Sequence, residues 1–205
     1  MNNKTISPFG AWLSPINSQL VTADSVHLDE LKLHHSGTYW LERRPDEQGR
    51  CVIAKHSDGK NYDLIPKTHS ARSRAHEYGG GVYCIADNGI YFVNDADQNI
   101  YFSPAVGTPD AITNTNDCCY ADLQLDQSRN RLICIQQCKR DDLAEDENRL
   151  VSIDLETGTI STLHSDHDFY ASPRLSPNGK QLSWLCWDHP DMPWDVTKLF
   201  LANIN

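Results

Sequence analysis

Short runs of alternating hydrophobic and polar positions fill most of the 205 residues, and turn chemistry separates one run from the next. Tyr170–Leu175 alternates briefly, and Ser176-Pro177-Asn178-Gly179-Lys180 then breaks the run with a proline that presets φ and a glycine that accepts a positive one. Gln181–Trp187 alternates again, a loop with two prolines follows over 188–195, and Lys198–Ala202 is a third strand. The same order occurs 50 residues earlier, where Tyr120–Leu125 falls on Tyr170–Leu175 and Leu132 falls on Leu182. Leu150–Ile153 lies near Phe200–Asn203 in that alignment. Further upstream, Gly81–Ala86, a turn at Asp87-Asn88-Gly89, Ile90–Val93 and Asn99–Ser103 make another unit. Leu28–Leu33, Thr38–Arg43, Arg50–Lys55 and Asn61–Ile65 make the first.

Units of ~40–50 residues that each hold four short strands predict a β-propeller. The expected fold class is therefore all-β: an incomplete β-propeller of about three and a half four-stranded antiparallel blades. The units lie at about 26–66, 77–113, 118–164 and 168–205. Residues 1–25 read as a leader packed on the blades through Phe9, Trp12 and Leu13, which have neither strand nor helix period. Trp40 reads as a core anchor between sheets. Asp141–Glu147 is acidic, contains Leu and Ala, and reads as a solvent-facing loop with a single helical turn.

Composition narrows the function classes. Hydrophobic residues are 39% of the chain and mean hydropathy is -0.55, with no run near the ~18 apolar residues of a membrane-spanning helix. The first residues lack the apolar stretch of a secretory signal, so a cytoplasmic location is expected. A formal charge of -10 argues against nucleic acid as a partner, because phosphate binding draws on clustered Lys and Arg. The seven cysteines are odd in number and irregular in spacing, and they read as a reduced set. Cys84, Cys134 and Cys186 lie inside strands, and a strand would point Cys118 and Cys119 to opposite faces. His164-Ser165-Asp166-His167-Asp168 reads as a solvated inter-blade turn, because nothing converges its side chains. No metal and no cofactor is expected.

The connection Thr68–Gly81 is unusual. Three consecutive glycines follow a mixed-charge run, and each gives up backbone entropy to allow close approach or a positive φ. One reading presents Arg74, His76 and Glu77 toward a central opening. The other pairs Arg74 with Glu77 and lets Tyr78 pack beneath a crossing strand.

Three stretches together carry a family resemblance. They are Arg74-Ala75-His76-Glu77-Tyr78-Gly79-Gly80-Gly81, Tyr39–Pro45 with Gly49-Arg50, and Leu175–Lys180 continuing through Trp184 to Trp187-Asp188-His189-Pro190-Asp191-Met192-Pro193-Trp194-Asp195. In order and over nearly the whole chain, the sequence resembles the N-terminal propeller of prolyl oligopeptidase-family serine peptidases. The acylaminoacyl-peptidase and dipeptidyl-aminopeptidase-like branch is the most similar. The resemblance implies a lid over an α/β-hydrolase domain that would be the partner of this segment, and a funnel that admits short peptides.

The Gly-x-Ser-x-Gly elbow of that hydrolase domain is absent, so no catalytic residue is carried over and the chain is expected to be inactive alone. The substrate-binding candidates are Glu77, Arg74, His76 and Trp194. Glu77, if buried, would hold a peptide's amino terminus by a charge-assisted bond, Arg74 would hold a carboxylate or neutralise Glu77, and His76 would tune either. Trp187 and Trp194 flank two prolines and would line the funnel or cap a blade edge. The alternative is a stand-alone or truncated propeller that serves as a protein- or ligand-binding scaffold.

Overall fold

Strand alternation in this chain ends at tight turns, and the sheets follow from it. Asp58 and Gly59 take φ of 52° and 72° between the paired residues Ser57 and Lys60, the mirror-image turn whose twist matches its flanking strands. In the computed structural model, which describes residues 6–11, 14–17, 25–140 and 146–204, the chain folds as the blades of a β-propeller. Blade 1 is β1 (His27–His34), β2 (Gly37–Arg44), β3 (Arg50–Ser57) and β4 (Lys60–Asp63). Blade 2 is β5 (Tyr83–Ala86), β6 (Gly89–Val93), β7 (Ile100–Pro104) and β8 (Asp110–Ala111). Blade 3 is β9 (Cys118–Asp126), β10 (Arg131–Cys138), β11 (Glu147–Asp154) and β12 (Ile160–His164). Blade 4 has three strands among the described residues: β13 (Phe169–Leu175), β14 (Gln181–Trp187) and β15 (Lys198–Asn203). All pairings within these sheets are antiparallel between consecutive strands. No helix among the described residues is long and apolar enough to cross a membrane.

The core lies between consecutive blades. Tyr39 and Ile53 of blade 1 meet Tyr83 and Phe92 of blade 2. Val93 and Ile100 meet Tyr120 and Leu123 of blade 3. Ile133, Ile135 and Leu150 meet Tyr170, Leu182 and Trp184 of blade 4. Tyr83, Tyr120 and Tyr170 are fully buried, and each hydroxyl is satisfied, as buried tyrosines require. Tyr83 donates to the Glu30 carbonyl at 2.6 Å, Tyr120 accepts from Gln136 at 3.2 Å, and Tyr170 accepts the His167 N–H at 2.9 Å.

The inner strands β1, β9 and β13 each carry a bulge, where the register shifts between Asp29 and Lys32, opposite Ile133–Ile135, and between Ala171 and Arg174. Glu30, Asp122 and Ser172 take positive φ there, at 47°, 57° and 53°. A left-handed non-glycine residue costs roughly 1–2 kcal/mol. The acidic side chains offset that cost by bonding across blades. Glu30 Oε1 accepts the Val82 N–H at 2.8 Å; Asp122 accepts the Gly81 N–H through Oδ1 and the Ser172 N–H through Oδ2, both at 2.7 Å. Hydrogen bonds to a charged group contribute about 1.5–3 kcal/mol each.

The extra residue also reverses which face later side chains occupy. Tyr120 and Leu123 of β9 therefore share one face, buried here, three residues apart, and Leu28 and Leu31 share the equivalent face of β1. In blade 1 that face has no preceding blade among the described residues, and Leu28, Leu31 and Leu33 stand 61%, 70% and 79% exposed. Leu199 and Leu201 are exposed on the far side of blade 4.

Several expectations change. Phe9 is exposed instead of docked on a blade, as are Ile6 and Ile16; Trp12 and Leu13, and residues 141–145 of the acidic loop, lie outside the described residues. Trp40 is half-buried and its indole donates to Glu42 at 2.8 Å, so it ties into the charged face of blade 1. The cysteines are not all reduced: Cys118 and Cys138 are cross-strand partners joined by a disulfide, which strand alternation within β9 alone does not disclose. Cys84, Cys134 and Cys186 are buried thiols, and burial pushes Cys84 and Cys186 up to about 12.

Asp122→Ala leaves the Gly81 and Ser172 N–H groups without an acceptor, and should lower unfolding free energy by about 2–4 kcal/mol in urea titration. Asp122→Asn keeps one acceptor oxygen and tolerates the left-handed backbone, so it should lose clearly less.

Candidate functional site

The chain between β4 and β5 does not take the short path from blade 1 to blade 2. Ala71 bridges to Asn94 of blade 2, Ser73 Oγ donates to the Tyr120 carbonyl at 2.6 Å, and Ala75 is fully buried in the core shared by blades 3 and 4. This strap crosses the inner end of blade 3 and returns through Gly79-Gly80-Gly81. A Cβ on Gly80 would sit 2.9 Å from the Ala121 Cβ, so the return leg requires the glycine to lie against β9.

At the tip of the strap, His76 and Glu77 both take left-handed conformations, with φ of 55° and 63°. Local bonds hold the turn: the Glu77 N–H donates to the Arg74 carbonyl at 3.0 Å and the Gly79 N–H to the Ala75 carbonyl at 2.8 Å. Blade 3 holds it from below, since Gln137 Oε1 accepts the His76 N–H at 2.6 Å. Asn148 Nδ2 donates to the Asp168 carbonyl at 2.8 Å, which turns Asn148 Oδ1 toward His76 Nε2 at 3.1 Å. Nε2 therefore carries the imidazole proton and Nδ1 holds the lone pair. The ring stands edge-on to Phe169 and Trp187, 5.6 and 5.9 Å away, and these two rings stack on each other at 5.4 Å. Burial among them pushes the His76 pKa below 6.5, against the Asn148 hydrogen bond, which favours the charged form.

Beside this tip opens a cavity of about 390 Å³. Glu77, Asp146 and Asp168 supply three carboxylates to its lining, His76, Phe169 and His189 supply ring surface, and among the described residues no Lys or Arg takes part. Asp168 is fixed from two sides: its N–H donates to Asp188 Oδ1 at 3.1 Å and its Oδ2 accepts the His189 N–H at 2.9 Å. Glu77 is exposed, not buried, and its carboxylate has no hydrogen-bond partner among the described residues. Carboxylates beside aromatic faces favour a cationic group such as an amine.

Of the four residues singled out in the sequence, the fold brings His76 and Glu77 together. Arg74 is paired elsewhere: its Nη2 donates to Asp95 Oδ1 at 2.9 Å and to the Asp95 carbonyl at 2.8 Å, so it neither neutralises Glu77 nor lines the cavity. Tyr78 is exposed and does not pack beneath a strand. Trp194 is 76% exposed on the loop after β14, outside the cavity lining, whereas Trp187 is buried. Asp146 was not singled out in the sequence, Asp168 falls in the stretch expected to be a solvated turn, and His189 falls in the loop expected to line the funnel or cap a blade edge. Their signal was strand direction, because the starts of the first and third strands and the end of the second share one rim of an antiparallel blade. His164 and His167 are partly buried instead of solvated, and His167 Nδ1 lies 2.9 Å from Asp188.

No family model matches the chain, and no curated protein does. Solved structures do. A Mycobacterium tuberculosis puromycin-hydrolyzing peptidase is 28% identical, with a TM-score of 0.86 over 98% of this chain and 34% of that one. A puromycin hydrolase is 27% identical, with a TM-score of 0.85 over the same shares of the two chains, 98% and 34%. Pyrococcus horikoshii acylaminoacyl peptidase, at 10% identity and a TM-score of 0.61 over 88% of this chain and 32% of its own, shares the fold. The chain thus spans about a third of the length of the peptidases it resembles, and the part it matches is their propeller.

Because His76 is harder to protonate in the folded protein than in the unfolded chain, the unfolded state takes up the proton first as pH falls through 6.5. Stability is therefore full above that value and declines below it. Protection factors of the amides of 75–79, which are referred to the intrinsic exchange rate at each pH, should fall between pH 7 and 5, and His76→Gln should flatten that dependence.

Proposed function

We propose that this chain is the propeller segment of a prolyl oligopeptidase-family serine peptidase that acts on short peptides, where it gates access to an α/β-hydrolase domain. The likeness to puromycin-hydrolysing peptidases over almost the whole chain carries this reading. The bond-breaking chemistry belongs to the hydrolase domain, and the propeller contributes selection. Exposed leucines on the outer faces of blades 1 and 4 support further sheets packing there in the working protein, since such faces are ordinarily covered.

Within this reading, the acidic cavity receives the free amino end of the substrate. Glu77, whose side chain has no partner among the described residues, is the carboxylate available to an incoming ammonium, while Asp168 is held by the backbone and sets the field behind it. Phe169 and His189 offer ring faces to the same cation. The similar solved peptidases hydrolyse puromycin, a small molecule, which agrees with a site that admits small substrates. A propeller that grips the amino end positions the scissile bond at a fixed distance from its own rim and excludes chains too bulky to enter.

An antibody raised against residues 39–60 should detect a native polypeptide several-fold heavier than 23.2 kDa. A band at the chain's own mass would instead favour the stand-alone scaffold. In the full-length enzyme, Glu77→Gln should raise KM for unblocked aminoacyl nitroanilides about tenfold or more, the loss of one charge-assisted bond. Its effect on N-acetylated substrates should be slight; equal losses on both would remove Glu77 from amine recognition.

A further inference from the structure

The turn between β1 and β2 and the turn between β5 and β6 meet at the rim opposite the acidic cavity. There His34 Nε2 and His35 Nε2 lie 3.5 and 3.7 Å from the same oxygen, Asp87 Oδ1. The three candidate ligand atoms all lie within 4.8 Å of one another. We propose that His34, His35 and Asp87 bind one borderline divalent cation of the zinc(II) class, which clips blade 1 to blade 2.

The spacing is wider than that of a hydrogen-bonded His–Asp contact. A nitrogen–oxygen hydrogen bond closes to roughly 2.7–3.2 Å, and neither histidine approaches Asp87 that closely. Two ligand atoms at ~2.0–2.1 Å from a tetrahedral ion stand roughly 3.3–3.4 Å apart. The two histidine–aspartate separations are within a few tenths of an ångström of that value, and the two imidazole nitrogens lie within 4.8 Å of each other. The histidines are sequence neighbours, which a strand would send to opposite faces, but β1 ends at His34 and the turn swings His35 alongside, with ring centroids 3.9 Å apart.

Each fixed ligand has a supporting partner of the kind that orients metal ligands. Asp87 Oδ2 accepts from Gln127 Nε2 of blade 3 at 3.3 Å, which leaves Oδ1 to face the histidines. His34 Nδ1 lies 2.8 Å from Ser36 Oγ and 3.4 Å from the Ser36 N–H, and Ser36 Oγ is 2.7 Å from the Tyr39 hydroxyl. Coordination through Nε2 places the imidazole proton on Nδ1, which then donates to Ser36 Oγ and gives up the long bond it accepts from the Ser36 N–H. Two imidazoles and one carboxylate suit zinc, cobalt, nickel or copper over magnesium and calcium, which prefer all-oxygen shells. Three protein ligands leave a fourth position for water. The exposure of His35 and Asp87 makes the ion exchangeable.

The test is a titration of the intact chain with Co²⁺, followed by its visible d–d absorption, and with Zn²⁺ by calorimetry. One equivalent should bind saturably, with no heat from Mg²⁺. His35→Gln and Asp87→Asn, both at exposed positions, should each raise Kd at least tenfold, and Gln127→Ala should raise it by a smaller factor. Zn²⁺ should raise the thermal midpoint of the parent chain and leave that of His35→Gln unmoved. No saturable binding below about 1 mM, or Kd values unchanged in both ligand variants, would overturn the assignment.

Discussion

The inner strands of a propeller crowd together with their backbone N–H groups facing a neighbouring blade, and something must accept those bonds. Here carboxylates do so. Glu30 reaches the start of β5, and Asp122 holds both the return leg of the strap and the bulge of β13. Each acid occupies a left-handed bulge that only the cross-blade bonds make tolerable, so the strain and its compensation come from the same residue. Loss of one acceptor loosens two blade junctions together.

The same stitching builds the acidic cavity. The strap lies close against β9 because its glycines leave room for Ala121 and Asp122. That placement drives Ala75 into the core of blades 3 and 4 and turns His76 and Glu77 outward at one rim. His76 then acts as a neutral wedge between stacked aromatics, and Glu77 stands beside two further carboxylates with no side-chain partner among the described residues. The opposite rim uses its turns differently, bringing two imidazoles and a carboxylate from adjacent blades to one point.

Apolar exposure is unevenly distributed and follows from the bulges. Tyr120 and Tyr170 lead inner strands whose preceding-blade faces are buried, while the equivalent leucines of β1 are bare. Those leucines and the outer face of β15 mark where the molecule offers sheet surface to whatever packs beside it. Disulfide-linked Cys118 and Cys138 tie the first two strands of blade 3 together where the strap and the cavity meet it.

Sequence alone determined the all-β repeat, because alternation and turn residues are local and recur at a spacing of 50 in blades 3 and 4. It also picked out the His76-Glu77 tip, since three glycines in a row have a cost that a plain connection would not bear. It did not determine partners. Arg74 is as close in sequence to Glu77 as to any acid, yet the strap's path gives it to Asp95. Asp146, Asp168 and His189 belong to three separate loops, and only blade packing places them on one rim. His35 and Asp87 are separated by a full blade of sequence, and Cys118 and Cys138 by a hairpin. These pairings depend on register and on which strand ends share a side, quantities set when strands associate and not by any single stretch of chain.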